Sequence, residues 1–182
     1  MAGRRAVLLD RDGVLTEETG AYVTRPQDLR LLPGAAEAVV RLNRAGWAVA
    51  VVTNQAGVGK GILTLPELEA IHAQLQAAIA RTGGHLDGIF LCPHHPDAGC
   101  DCRKPLPGLL WQAARALQLD LAACYLVGDS PRDIAAGHAA GCHTVLVLTG
   151  HTRHYRPETF PPPLPEQVFP ALPDFVDTLL RT

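Results

Sequence analysis

Ala6-Val7-Leu8-Leu9-Asp10-Arg11-Asp12-Gly13-Val14-Leu15 is an apolar run of strand length that stops at two carboxylates spaced two apart, followed by a glycine. Side chains alternate along a strand, so Asp10 and Asp12 would share a face if the strand continued. Gly13 ends it, which puts both acids at the carboxyl end, where open α/β sheets place their ligands. Two acids this close repel one another unless a cation or a shared proton intervenes. Mg²⁺ accounts for them economically, because this hard cation takes carboxylate and backbone oxygens and leaves room for a phosphate. A turn capping a strand is the competing reading of these residues alone.

Working outward, apolar strand-like runs alternate with helical patterns, the signature of a parallel sheet covered on both faces. Residues 16–33 read as a long polar loop, and a helix through Ala35, Val39 and Leu42 closes at Gly46. Trp47 to Val52 is nearly continuous in apolar residues, as a strand buried on both faces should be, and ends in Thr53-Asn54-Gln55. A glycine-rich loop through Gly57, Gly59 and Gly61 follows, then a capping box at Thr64–Glu67 opening a helix. Strands are expected at 88–92, 124–127 and 144–148, with helices over 108–119, 131–140 and 174–180. Residues 149–165, with Pro161-Pro162-Pro163 at their centre, read as an irregular surface segment rather than a linker. The expectation is one α/β domain with a five- or six-stranded, mostly parallel sheet.

At 182 residues the chain has room for one well-buried domain and too little for two of typical size. No apolar run reaches membrane-spanning length. Met1-Ala2-Gly3-Arg4-Arg5 leads straight into a strand without a signal-peptide pattern, so a cytoplasmic protein is expected. A net charge of −2 with no basic block argues against general nucleic-acid binding, so an anionic substrate must be met by a few local Arg and Lys side chains.

Three strands finish in residues of the kind phosphoryl transfer needs. The first ends in Asp10 and Asp12; the second ends in Thr53-Asn54, a hydroxyl and an amide able to hold phosphate oxygens. The fourth ends in Gly128-Asp129-Ser130-Pro131-Arg132-Asp133, a third acid with Asp133 one helical turn beyond, and Arg103-Lys104 adds two cations. Between Cys92 and Cys102 lies C-x-H-x5-C-x-C, offering Cys92, His94, Cys100 and Cys102 to a tetrahedral, structural Zn²⁺. His95 could replace His94, and a disulfide or unligated thiols remain the plain alternatives. Arg11 reads as positioning backbone, His72 as a packed core histidine, and Cys124 and Cys142 as inert small hydrophobes.

D-x-D-G-V-L, the T-N strand end, K-P and G-D-x-x-x-D occur in the order found in the haloacid dehalogenase superfamily, whose phosphatases the chain resembles. The string C-P-H-x-P … C-x-C-R-K-P-x-P-G is similar to the D,D-heptose 1,7-bisphosphate phosphatases and the related histidinol-phosphate phosphatases. The resemblance implies a Rossmann-like three-layer sandwich over residues 1–182, with the zinc loop 92–102 standing in for a large cap domain. It implies Asp10 as the nucleophile that forms an aspartyl phosphate, and Asp12 as general acid and then base. Mg²⁺ would be held by Asp10, the Asp12 backbone carbonyl and Asp129, with Asp133 orienting Lys104 or the metal shell from outside. Lys104 and Thr53 would bind the phosphoryl oxygens, with Asn54 and Gln55 beside them. Arg103 would recognise the second phosphate or nearby hydroxyls.

Gly20-Ala21-Tyr22-Val23 and Thr53-Asn54-Gln55-Ala56-Gly57-Val58-Gly59-Lys60-Gly61 resemble the heptose branch, which implies hydrolysis of the 7-phosphate, with histidinol phosphate as the alternative substrate. A monomer acting on a small phosphorylated sugar, with neither nucleic acid nor membrane as partner, is the expectation. Two rival classes are a phospho-acceptor signalling domain, which would not need Asp12, and a zinc-dependent interaction module that has lost catalysis.

Overall fold

A computed structural model describes residues 3–181. Strands β1 (Ala6–Leu9), β2 (Ala48–Asn54), β3 (Gly88–Cys92), β4 (Tyr125–Gly128), β5 (His143–Val147) and β6 (Gln167–Phe169) form one sheet in the order β3-β2-β1-β4-β5-β6. Every adjacent pair is parallel. The helices are α1 (Ala35–Arg44), α2 (Ala56–Gly59), α3 (Leu65–Arg81), α4 (Gly108–Leu117), α5 (Pro131–Ala140) and α6 (Leu172–Leu179). None of the described helices is long and apolar enough to cross a membrane.

The alternation of β1 builds both layers of core. Val7 and Leu9 pack with Leu42 of α1, Ile71 of α3 and Phe175 of α6, whereas Ala6 and Leu8 pack with Leu109 and Leu110 of α4 and Ala136 of α5. Both faces of the central strand are therefore dry, which is why its sequence reads as unbroken apolar residues. The chain winds outward from β1 to β3 on one side and from β4 to β6 on the other. The β1/β4 junction is the point where the winding reverses, and the crevice outside it is where such sheets bind ligands. Asp10 leaves β1 there with its amide donating to the Val127 carbonyl at 3.0 Å, and Asp129 leaves β4 alongside.

The sheet takes the larger of the two expected sizes: β6 pairs with β5 beyond the proline-rich segment, three residues long and half-buried, too short to carry a period. Three local expectations are corrected. Helix α6 starts at Leu172 rather than residue 174, because Pro173 fits the first turn and Asp174 accepts the Ala171 amide at 3.0 Å. Helix α4 ends at Leu117, two residues early, where Gln118 turns left-handed at φ 55°. The glycine-rich loop after β2 contains one helical turn, α2, whose Gly59 amide donates to the Pro93 carbonyl at 2.7 Å. A Cβ on Gly59 would lie 2.1 Å from the His95 nitrogen, so glycine lets this turn sit against the cysteine loop.

Candidate active site

Asp10, Asp129 and Asp133 each bring a carboxylate oxygen to within 4.8 Å of the others. The Lys104 ammonium, 1% exposed, lies among them, 3.1 Å from Asp10 Oδ2 and 2.6 Å from Asp133 Oδ1, and donates to the Val52 carbonyl at 2.8 Å. Burial alone would lower this lysine's pKa, but Asp10 and Asp133 outweigh it and raise it, so the ammonium stays charged. The Asn54 side chain fixes where Lys104 leaves its loop: its amide group donates to the Lys104 carbonyl at 3.0 Å and its oxygen accepts the Lys104 amide at 3.1 Å. Asn54 thus holds the phosphate-binding candidate in addition to lining the cleft.

Both Asp133 oxygens are occupied, one by Lys104 and the other by the Ser130 hydroxyl and amide at 2.6 and 3.1 Å. Asp10 and Asp129 keep free lone pairs and bear the electrostatic cost. Burial raises Asp10 from the ordinary 3.8 to about 7; the Lys104 charge offsets part of this, while Asp133 and Asp12 add to it. Asp129 is raised to about 8 by burial and then by Asp133 and Asp10. Two buried carboxylates that resist ionisation without a counter-charge, in an all-oxygen donor set, fit a hard divalent cation. The turn is shaped to receive Asp129: Gly13 has φ +82°, and a Cβ there would stand 2.2 Å from Asp129 Oδ2. The His151 amide also donates to that oxygen at 2.6 Å.

Asp12 is separated from this cluster by its partners. Its Oδ1 accepts from Arg11 Nε at 3.0 Å and the Thr16 hydroxyl at 3.1 Å, and its Oδ2 from Arg11 Nη2 at 2.8 Å and Gln55 Nε2 at 3.0 Å. Gln55 also donates to Thr53 Oγ1 at 3.0 Å, which ties the acid to the end of β2. Two adjoining clefts share Asp12, Glu18, Asn54 and Arg132. The inner one, about 100 Å³, is walled by Asp10, Thr53, Lys104 and Asp129. The outer one, about 210 Å³, is walled by Gly20, Tyr22, Gln55 and Arg103. The exposed Tyr22 ring carries the Lys60 ammonium 5.6 Å from its centroid. Arg103 Nη1 is buried without a hydrogen-bond partner, a cationic donor left for an anion in the outer cleft.

Cys92, His94, Cys100 and Cys102 gather at the end of β3, with His94 Nδ1 3.5 Å from Cys92 Sγ and 3.2 Å from Cys102 Sγ, and Cys92 and Cys100 sulfurs 3.6 Å apart. The thiols are unbridged. His95 points instead toward Asp97. Burial, with the neighbouring thiols adding to it, pushes Cys102 up to about 12, so a second thiolate beside the first needs a cation to be stable. Soft sulfur with one imidazole at this separation fits Zn²⁺.

A family model described as HAD-hydrolase-like matches residues 101–175. A relative from Bordetella bronchiseptica, D-glycero-beta-D-manno-heptose-1,7-bisphosphate 7-phosphatase, is 46% identical over 149 residues, covering 82% of this chain and 83% of its own length. The chain belongs to the heptose-bisphosphate phosphatase family of HAD-like hydrolases. A family member of the same name from Neisseria meningitidis serogroup A is 35% identical over 184 residues, covering 97% of this chain and 95% of its own length. The crystal structure of D,D-heptose 1,7-bisphosphate phosphatase from B. bronchiseptica, complexed with magnesium and phosphate, superimposes with a TM-score of 0.90 at 42% identity, covering 98% of each chain.

The geometry of this heptose-bisphosphate phosphatase homologue adds residues that the sequence reading left aside. Arg11 is 2% exposed; its carbonyl accepts the Leu15 and Thr16 amides at 2.9 Å, and its side chain also grips Asp12. His72 is buried on α3, and it meets Arg11. Arg132 and His151 border the inner cleft. Arg11 carried a usable signal: a permanently charged side chain at the end of a buried strand requires a buried counter-charge.

Proposed function

We propose that the protein hydrolyses the 7-phosphate of D-glycero-D-manno-heptose 1,7-bisphosphate, in the route to nucleotide-activated heptose, and that it does so in the cytoplasm. The observation that carries this reading is the Lys104 ammonium seated 3.1 Å from Asp10 in a small polar cleft, adjoined by a second cleft lined by Arg103, whose buried Nη1 has no partner. The first site suits one phosphate and the second suits another group of like charge.

In this mechanism the Asp10 carboxylate attacks phosphorus in line, a P–O bond forms to Asp10, and the bond to the C7 oxygen breaks. The Asp12 carboxyl gives its proton to that departing alkoxide, and positioned proton transfer of this kind contributes about 10²–10⁴-fold. Lys104 and Thr53 hold the equatorial oxygens as charge spreads over them. Water then attacks the aspartyl phosphate, Asp12 takes its proton, and Asp10 is released. Mg²⁺, which Asp10, Asp129 and the Asp12 backbone carbonyl would hold, would supply the positive charge that lets an anionic nucleophile approach an anionic phosphate. Asp133 keeps Lys104 in place from outside that shell. Zn²⁺ on Cys92, His94, Cys100 and Cys102 would hold the loop that presents Arg103, while Gly20 and Tyr22 form the opposite wall for the sugar.

Phosphate release from heptose 1,7-bisphosphate, histidinol phosphate and fructose 1,6-bisphosphate tests the assignment. The heptose substrate should give the highest kcat/KM, and Asp10→Asn should abolish turnover without unfolding. Preference for histidinol phosphate, or an active Asn variant, would overturn it.

A further inference from the structure

Arg11 is one of the largest fully buried side chains in the molecule, and no exposed surface explains it. A guanidinium is always charged and offers only donors, so each buried N–H must find an acceptor. Nε and Nη2 find both oxygens of Asp12, a bidentate fork at 3.0 and 2.8 Å. Nη1 finds Nε2 of His72 at 3.2 Å. Arginine cannot accept, so His72 Nε2 must, which places the imidazole in its neutral form with the proton on Nδ1. Burial, and then the adjacent Arg11 charge, lowers His72 to about 4 and keeps it neutral. His72 itself stands on α3, a helix closed at its start by the Thr64–Glu67 capping box and anchored by Leu68, Ile71, Leu75 and Ile79 in the core.

We propose that Arg11 and His72 are positioning residues that act as a buried strut between α3 and the Asp12 carboxylate, fixing the direction in which Asp12 exchanges its proton with the substrate. The proposal rests on the reading of Asp12 as general acid and base. The Asp12 side chain is 23% exposed, more than the 15% of Asp10, and it borders both clefts. A carboxylate at such an edge swings freely about its last torsion unless both oxygens are pinned. Arg11 grips both in one fork, beside the Thr16 hydroxyl on Oδ1 and Gln55 Nε2 on Oδ2, and His72 holds the guanidinium against rotation. Misplacing a reacting group by about 1 Å costs on the order of 10²-fold in rate.

Leaving-group dependence separates this role from a purely structural one. Until the leaving group departs, kcat/KM needs the acid for a sugar alkoxide but hardly for nitrophenolate. His72→Leu removes the acceptor, whereas His72→Gln can return an oxygen to the reach of Nε2. His72→Leu should lower kcat/KM for heptose 1,7-bisphosphate by about 10–10²-fold, through kcat and with KM little changed, while 4-nitrophenyl phosphate loses less than about threefold. His72→Gln should recover most of the loss. Equal losses on both substrates, or a Gln variant no better than Leu, would overturn the proposal. Asp12→Ala is run in parallel and should discriminate between the substrates still more strongly. If it does not, the assignment of Asp12 fails, and that outcome is distinct from failure of the strut. Thermal melts of each variant confirm that rates are compared between folded proteins.

Discussion

Replacing Asp129 by Asn should make the metal-free protein more stable, against the usual effect of altering a buried residue. Asp129 titrates near 3.8 when unfolded and about 8 when folded, raised by burial and by Asp133 and Asp10. A group whose folded pKa is raised contributes stability that is complete below the unfolded value and lost as pH rises through the folded one. At pH 7 this amounts to 2.303RT times the interval from 3.8, about 4 kcal/mol. Part of the shift is repulsion shared with Asp10, itself raised to about 7, and the pair titrates jointly. Removing one acid should therefore return about 2–4 kcal/mol at pH 7. The assay is urea denaturation at pH 5, 7 and 8.5 in buffer lacking Mg²⁺, without chelator so that the cysteine site is untouched. The unsubstituted protein should lose stability across that range and Asp129→Asn much less. Added Mg²⁺ at about 100 times its Kd should stabilise the unsubstituted protein by about 3 kcal/mol and the variant hardly at all. A variant less stable than its parent without Mg²⁺, or an equal response of both to the ion, would refute the argument that these carboxylates are a strained cation site.

Removing the zinc proposed for the Cys92–Cys102 loop should raise KM sharply while circular dichroism of the sheet and a cooperative melt persist, since the core under α4 and α5 rests mainly on Leu8, Val52, Leu109, Leu110 and Leu126, with Cys92 and Cys102 only at its edge; global unfolding on mild chelation would contradict this. Arg103→Ala should raise KM for the bisphosphate by about 10–10²-fold, the worth of a charge-assisted hydrogen bond of about 1.5–3 kcal/mol. The same variant should leave the corresponding 7-monophosphate nearly unaffected, and an equal loss on both would separate Arg103 from the second phosphate.

The apolar run ending at Asp10 made the central strand and its reactive end legible, because a strand dry on both faces has no alternation to confuse and a carboxyl-end acid has few other uses. That Asp10 and Asp129 share one rim follows from parallel strands delivering their last residues to the same edge, whereas Lys104 sits in the loop after β3 and its place beside them was legible only through the resemblance. What resisted reading was of two kinds. Short elements such as β6 and α2 owe their form to neighbours, β5 and the cysteine loop, and carry too few residues for a period. Polar side chains near the site also had partners that only tertiary structure supplies. Asn54 looked like a phosphate ligand and clamps Lys104; Gln55 looked like a substrate contact and binds Asp12. His72 was legible as buried, because it lies on the apolar stripe of α3, but nothing in its own helix announces an arginine 61 residues away.

The central claim is that Asp10 takes the phosphoryl group covalently. Rapid mixing with heptose 1,7-bisphosphate and Mg²⁺, an acid quench within one turnover and reduction with borohydride would convert an aspartyl phosphate to homoserine, which peptide mass spectrometry locates. Homoserine at position 10, and only when substrate is present, is the predicted result. Turnover with no reducible adduct, or an adduct on any other carboxylate, would contradict the account.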